Sequence, residues 1–405
     1  MESSYCYEIT PIISFFLLFF LLFSPVFSTT YKKDIKETNI TFDSNNMKLI
    51  EATLKKINKP FSEDGDIIDC VLIHFQPTFN NPMLKATMPL DPPEIPDRER
   101  KEMESEVKQL WNSNDESCPH GTIPIRRTTE SEILRTNSVS MYGKKIRETD
   151  ISNIGHEHAI GYIQGGKYYG AKGTLNVWAP NVNVTRLGEF SISQIWVITD
   201  VPNHGMSTFE AGWQVSPTAY GNSLPRLFTY WTNDGYVSGC YNLKCSGFVQ
   251  TSHEICLGAT IIPQSTYNGS QFDISVLIWK DPRHGNWWLK VGSIIVGYWP
   301  IVLFPDLKEH ATLIEYGGEV YNTPIEGTHT TTKMGSGHFP NEGYRKASYI
   351  RNMGIVDEEN TLNPVGPVSV LAEKPNCYNV RRGFDSSVWG YYIFFGGPGN
   401  NPNCP

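Results

Sequence analysis

FSISQIWVITDVPNHGMSTFEAGWQV, residues 190–215, holds two β runs, FSISQIWVI and FEAGWQV, parted by Pro202, Asn203 and Gly205. The same texture extends outward from about Ile154: HAIGYI, TLNVWA, RLFTYW, GFVQT, LGATII, FDISVLIW, WWLKVG and IIVGYW follow in quick succession. Gly, Pro, Asn and Asp punctuate these runs, and no stretch reads as a long helix. Many short strands at this spacing predict an antiparallel sandwich or barrel. About 250 residues suffice to bury a two-sheet core.

The chain ahead of Ile154 reads differently. Ile12 to Phe23 is almost purely apolar and is followed by Val26-Phe27-Ser28. The run is too short for an ordinary membrane span, so residues 1–28 are read as a signal peptide. Residues 29–125 form a small α+β unit. Met47, Ile50, Leu54 and Ile57 recur at helical spacing, and a second amphipathic helix is predicted from Asp97 to Asn112 on the stripe Met103, Val107, Leu110 and Trp111. Between them lie a strand in DCVLIHFQPTF and the Pro-rich stretch 88–96, with Cys70 and Cys118 expected to tie the unit together. Residues 126–153 are polar and charged, the composition of an exposed, cleavable linker.

Charged residues are only 19% of the chain, Gly (34) and Pro (27) are generous, and the net charge is −8 without a long basic run. That balance favours a loop-rich exported protein and gives nothing for nucleic acid to bind. Beyond Cys6 there are seven cysteines, so at least one thiol stays free after any pairing. Sequons at Asn39, Asn183 and Asn268 are usable in a secretory lumen.

The familiar nucleophile systems are missing. Ser336 lacks the first glycine of a G-x-S-x-G elbow, and Cys256 in EICLGATII reads as a small core thiol. His156-Glu157-His158 puts two imidazoles on one strand face, but no second motif of ligand spacing supports a metal. Carboxylates remain. Glu210 interrupts the apolar run FEAGWQV, and Glu315 and Glu319 flank LIEYGGEV. An ionised carboxylate in such a setting is costly unless paired or functional. Positions 315, 317 and 319 share a face, and Gly317 and Gly318 leave room for a substrate backbone. Glu210 together with Glu315 or Glu319 offers an acid–base dyad: two close acids cannot both ionise, so one takes a proton from water while the other donates one. Glycosidases also use two carboxylates, so the dyad alone leaves the substrate open.

At these residues the sequence resembles the neprosin family of plant secreted proteins. The matching stretches include GHEHAIGYIQGGKYYGAKGTLNVWAP, EAGWQVSP, LFTYWTNDGY, GCYNLKCSGFVQ, IEYGGEV, MGSGHFPNEGYRKASYIRN and the C-terminal GGPGNNPNCP, with DCVLIHFQPTFNNPMLK and CPHGTIPIRRT matching the family's activation peptide. The resemblance implies an all-β catalytic domain of two packed antiparallel sheets at residues 154–405, behind an activation peptide at 29–125. It implies acid proteolysis on the C-terminal side of proline, with Glu210 and Glu319 as the catalytic pair and no cofactor or metal. It places Trp196, Gln194, Trp213 and Glu315 as substrate-cleft residues. Its implied disulfides are Cys240–Cys245 and Cys377–Cys404, with Cys256 left over.

A protease made inside a cell must be silenced, which gives the prosegment a reason to cover the cleft until acid weakens its charged contacts. Cleavage is expected between Arg126 and Ile154, near 145–153. The partners expected are peptide or protein substrates, proline-rich ones among them, and the chain's own prodomain. The protein is expected to be a secreted monomer, in wall or vacuole, free of the membrane once the signal is removed. Two other readings compete: a carbohydrate-binding module with Trp231, Trp287, Trp288 and Trp299 as a sugar platform, and a two-carboxylate glycoside hydrolase.

Overall fold

The computed structural model describes residues 62–85, 87–99, 106–114, 116–135, 142–145, 155–201, 205–323 and 325–405. The expected signal peptide, the helix around Met47–Ile57 and the Asn39 sequon lie outside them. Three short strands come first: β1 (Ile68–Leu72), β2 (Lys108–Gln109) and β3 (Thr122–Arg126). There follow β4 (Gly155–Tyr168), β5 (Gly170–Asn176), β6 (Phe190–Val201), β7 (Gly205–Val215), β8 (Arg226–Thr232), β9 (Cys240–Tyr241), β10 (Val249–Gln250) and β11 (Ile261–Ile262). The rest are β12 (Asp273–Lys280), β13 (Trp287–Val291), β14 (Ile294–Trp299), β15 (Ala311–Asn322), β16 (Ser348–Val356), β17 (Leu362–Pro364), β18 (Ser369–Ala372), β19 (Asn379–Asp385) and β20 (Gly390–Gly396).

Two antiparallel sheets make the body. One has the order β18-β4-β15-β6-β7-β8-β9; the other runs β10-β14-β13-β12-β5-β16-β20-β19, with β17 beside β16. Side chains alternate across each strand, and the inward set builds one core. Ile195 and Val197 of β6, Phe209, Ala211 and Trp213 of β7, and Ile314 and Tyr316 of β15 meet Leu175, Val276, Ile278, Leu289 and Phe395 of the second sheet. Fully burying each large side chain contributes about 1.5–3 kcal/mol. Two polar tips on this face are satisfied across the gap: the Tyr316 hydroxyl donates to the Gly354 carbonyl at 2.7 Å, and the Trp213 indole N–H donates to the Asn176 carbonyl at 3.0 Å. The architecture is the two-sheet sandwich that the strand spacing predicts.

The prosegment clasps this body. β1 pairs with β3 and the pair carries Cys70–Cys118, while β2 adds to β11. Gln109 makes a reciprocal pair of bonds, its amide donating to the Cys256 carbonyl and its oxygen accepting the Cys256 N–H, both at 2.8 Å. Cys256 is the free, buried thiol among the described cysteines; burial raises its pKa, as suits a core residue. The other pairs are Cys240–Cys245 and Cys377–Cys404.

The sequence reading is corrected at four places. The helix predicted for Asp97–Asn112 is, in its described parts, irregular chain, strand β2 and a 3-10 turn at Leu110–Asn112; Val107 does bury in the sandwich core, and Trp111 buries among Ile68, Cys70, Cys118, Cys256 and Ala259. The segment after Arg126 is no simple exposed linker. It forms a short helix at Glu130–Arg135, with Glu132 buried against Arg126, and returns to the sandwich at Lys145, which is 3% exposed. The proposed sugar platform is absent from the surface of this chain: Trp287 and Trp299 lie in the core, Trp288 lies beneath the prosegment, and half-buried Trp231 packs on Phe304. Gly318 faces inward, where a Cβ would sit 2.6 Å from the Phe395 ring, so it serves packing and not substrate access.

Candidate active site

The outward face of the seven-stranded sheet carries the site, and strand register fixes its layout. Glu315, Trp196 and Glu210 lie opposite one another in one row across β15, β6 and β7. The next row of this face is Gly317, Gln194 and Gly212, and the one after it is Glu319, Ile192 and Gln214. Glu210 and Glu319 therefore face each other diagonally across Gln194, with a glycine on either side of that glutamine. At Gly317 (φ +154) a Cβ would meet the Ala159 carbonyl at 2.4 Å, so only glycine lets β4 approach there.

Both glutamates are fully buried, and both hold the same cation. Lys145 Nζ donates to Glu210 Oε2 at 3.0 Å and to Glu319 Oε2 at 2.7 Å. The other Glu210 oxygen accepts from the Tyr236 hydroxyl at 2.7 Å and from Thr208 Oγ1 at 2.9 Å. Glu319 Oε2 also accepts from Gln194 Nε2 at 2.9 Å, and its Oε1 meets His156 Nδ1 in a short hydrogen bond. Gln194 Oε1 is buried without a partner. The rings of Tyr230 and Tyr236 lie 5.6 and 5.2 Å from the ammonium.

Electrostatics follow from this packing. Burial alone would push the Glu319 carboxyl up, but Lys145, His156 and His158 outweigh it and hold the group below its ordinary value. Burial likewise works against the Lys145 cation, and the two carboxylates reverse that, raising its pKa. Burial raises Glu315 to about 7, with His158 pulling the other way and Glu210 and Glu319 adding repulsion. His158 loses some basicity to burial, but its bond to Glu373 at 3.1 Å and the nearby Glu319 carry it to about 8. Tyr236, buried against Glu210, is pushed well above the usual phenol range and stays a donor.

Of the residues singled out from sequence, Glu210, Glu319, Gln194 and Glu315 share this face with Trp196, whose ring stands edge-on to His158 at 6.1 Å. Trp213 does not. It lies three residues from Glu210 on one strand, an odd step, and is a core residue. Lys145, His156, Thr208 and Tyr236 were missed by sequence reasoning. His156 and His158 were weighed only as metal ligands, although their parity and their place on one strand face could have flagged a cleft. His329 approaches Cys377 and Cys404, but those sulfurs are joined to each other and are not thiolate donors. Of the sequons, Asn268 sits exposed in a turn, while the Asn183 amide is engaged with Thr331 at 3.3 Å.

A family model described as Neprosin matches residues 187–398, and one described as Neprosin activation peptide matches residues 60–162. The chain belongs to the neprosin family. Membership makes it a peptidase preceded by an activation peptide, and Lys145 falls within the stretch matched by that peptide. Among solved structures, the chain is similar to scytalido-glutamic peptidase with a peptide-based transition state analog (TM-score 0.33, 9% identity, 61% of this chain and 98% of that one). It is also similar to SCP-B, a member of the Eqolisin family of peptidases, in complex with the tripeptide Ala-Ile-His (TM-score 0.31, 8% identity, 60% and 98%). A third likeness is CG-16, a homodimeric agglutinin from chicken liver (TM-score 0.22, 9% identity, 41% and 98%).

Proposed function

We propose that this neprosin-family chain is an acid-active glutamic endopeptidase, exported as a zymogen, that cuts on the C-terminal side of proline with Glu210 and Glu319. The observation that carries the reading is the single cation, Lys145, shared by two buried carboxylates and delivered by the segment ahead of the sandwich. A site kept for structure alone would need no removable partner.

With Lys145 withdrawn, the two carboxylates face each other without that cation and share a proton. Glu319, beside the two imidazoles and the Gln194 amide, is the better carboxylate and takes a proton from the attacking water. As the water oxygen bonds to the scissile carbonyl carbon, protonated Glu210 passes its proton to the carbonyl oxygen. Collapse of the tetrahedral intermediate then breaks the C–N bond: the amine leaves with the proton held by Glu319, and one hydroxyl of the gem-diol returns its proton to Glu210 as the C=O bond re-forms, which restores the pair. The Gln194 amide is near enough to Glu319 to donate to the developing oxyanion. One proton must be held by the pair, which makes acid the working condition.

Export is supported by the apolar run 12–23 and by three disulfides, which persist in oxidising compartments. Maturation is proposed within 126–154 by the enzyme itself; N-terminal sequencing after a shift to pH 3–4 reads it, and an intact chain that is fully active contradicts it. Proteome-derived peptides digested at pH 3–5 test activity and specificity together. New C-termini enriched in proline are expected. Cuts without that enrichment overturn the specificity, and no cuts at all, with reducing sugar released from wall polysaccharide, favour the glycosidase.

A further inference from the structure

The outward face of the nine-stranded sheet, on the far side from the dyad, carries a second built surface. Cross-strand register lines up Tyr298, Trp288 and Trp279 in one row over β14, β13 and β12. The next outward row runs Lys290, Leu277, Lys172 over β13, β12 and β5. An aromatic strip thus lies beside a cationic one. Trp288 stands 4.6 Å from Tyr298 and 6.4 Å from Trp279, ring centre to ring centre. Both tryptophans are fully buried, yet the indole N–H groups of Trp279 and Trp288 have no acceptor.

In this chain the surface is covered by the prosegment. Phe79 and Leu90 pack on the aromatic strip. The Leu90 N–H donates to the Tyr298 hydroxyl at 3.3 Å, so the tyrosine reads a main-chain group. From Met88 to Glu99 the covering segment is MPLDPPEIPDRE, with four prolines and four acids against one arginine. Its charges find partners on the body. Glu94 meets Arg283 at 2.6 Å, and Glu99 lies between Lys290 at 2.7 Å and Lys172 at 3.5 Å. Beyond Lys172 the surface opens into a cavity of about 390 Å³ bordered by Asp273, Arg351, Phe384 and Tyr391.

We infer that this face is a docking site for extended, proline-rich, acidic polypeptide segments, which the prosegment fills until it is removed. The chemistry matches on two counts. Aromatic grooves favour proline-rich chains because those are already extended and lose little entropy on binding. The lysine row matches acidic side chains. On the peptidase reading above, the docked segments belong to substrates held at a distance from the cut, but binding itself does not depend on that reading.

The test uses the full chain carrying Glu210→Gln, so that nothing is cut, with a site-specific protease sequence replacing residues 147–152. After cleavage and separation of the prosegment in acid, the peptide MPLDPPEIPDRE is titrated and tryptophan emission is followed. Saturable binding is expected, weakened about tenfold or more by Lys172→Ala with Lys290→Ala, as loss of charge-assisted contacts requires. A peptide with its prolines changed to alanine should bind distinctly more weakly. Equal binding of both peptides, no saturation, or preferential binding of wall oligosaccharides each overturns the site; where the prosegment stays bound after the cut, the intact chain with a loosened cover decides. Should the cut protein not stay folded, the intact chain with Leu90→Ala and Glu99→Gln loosens the cover in place; added peptide must then compete for the tryptophans, and failure to do so overturns the site equally. Because the readout is binding by an inactivated chain, a failure of the peptidase reading leaves these outcomes unaffected.

Discussion

Lys145 sets one positive charge against two carboxylates in a site closed to water. Removing one partner of such a buried cluster costs about 3–5 kcal/mol, because the remaining charges stay buried without compensation. Lys145→Met is therefore expected to loosen the covering segment and to give cleavage of a fluorogenic peptide at pH 5 without prior acid exposure; an equally latent variant would show that the lysine is not the latch. Glu315 makes a separate prediction. Its carboxyl sits at about 7 in the folded chain against 4.5 ordinarily. A carboxyl raised in this way contributes stability that is fully present below pH 4.5 and is lost as pH rises through about 7. Glu315→Gln should thus raise stability at pH 8 relative to the parent but not at pH 4, as read by thermal unfolding at the two values. Much of this site was legible one residue at a time. Glu210, Glu315 and Glu319 stand out as acids in apolar strands, the family resemblance alone prefers Glu319 to Glu315, and strand parity already separates Trp213 from Glu210. Lys145 was not legible: in a polar, charged stretch a lysine looks solvated, and only tertiary contact buries it.

Strand alternation explains what the elements do. In β6, β7 and β15 the inward residues build the core, and the outward ones at 194, 210, 315 and 319 build the site, so one pattern specifies both. The sheet was readable because turn residues punctuate every run. The segment 106–112 was not, because its apolar residues sit at helical spacing while the tertiary pairing of Gln109 with Cys256 and of β2 with β11 holds it extended. Propensity yields to packing where a segment has a sheet edge to join. The same clasp carries an acid-sensitive contact. Asp64 is resisted by burial, but Thr260, Ser62 and Arg226 lower its pKa below 3.8. A depressed carboxyl contributes stability above its ordinary value and loses it as pH falls through the folded value. Asp64→Asn should accordingly move prosegment release to higher pH, followed by size exclusion across pH 2.5–6; release at an unchanged pH would place the acid trigger elsewhere.

At the scale of the whole molecule, the prosegment touches both outer faces of one sandwich. It reaches the dyad through Lys145 on one side and covers the Trp279–Trp288–Tyr298 strip on the other. Composition and strand spacing made the sandwich legible. The wrapping was not, since it depends on side chains far apart in sequence, such as Asp66 with Arg226. The central claim is that Glu210 and Glu319 are the catalytic pair. Its most direct test is peptide hydrolysis at pH 3–5, after acid exposure, by the parent chain beside Glu210→Gln and Glu319→Gln, each checked for folding. The parent should cleave, and each variant should fall by about 10²–10⁴-fold, the loss typical of a missing acid or base. Cleavage by either folded variant at the parent rate would contradict the assignment.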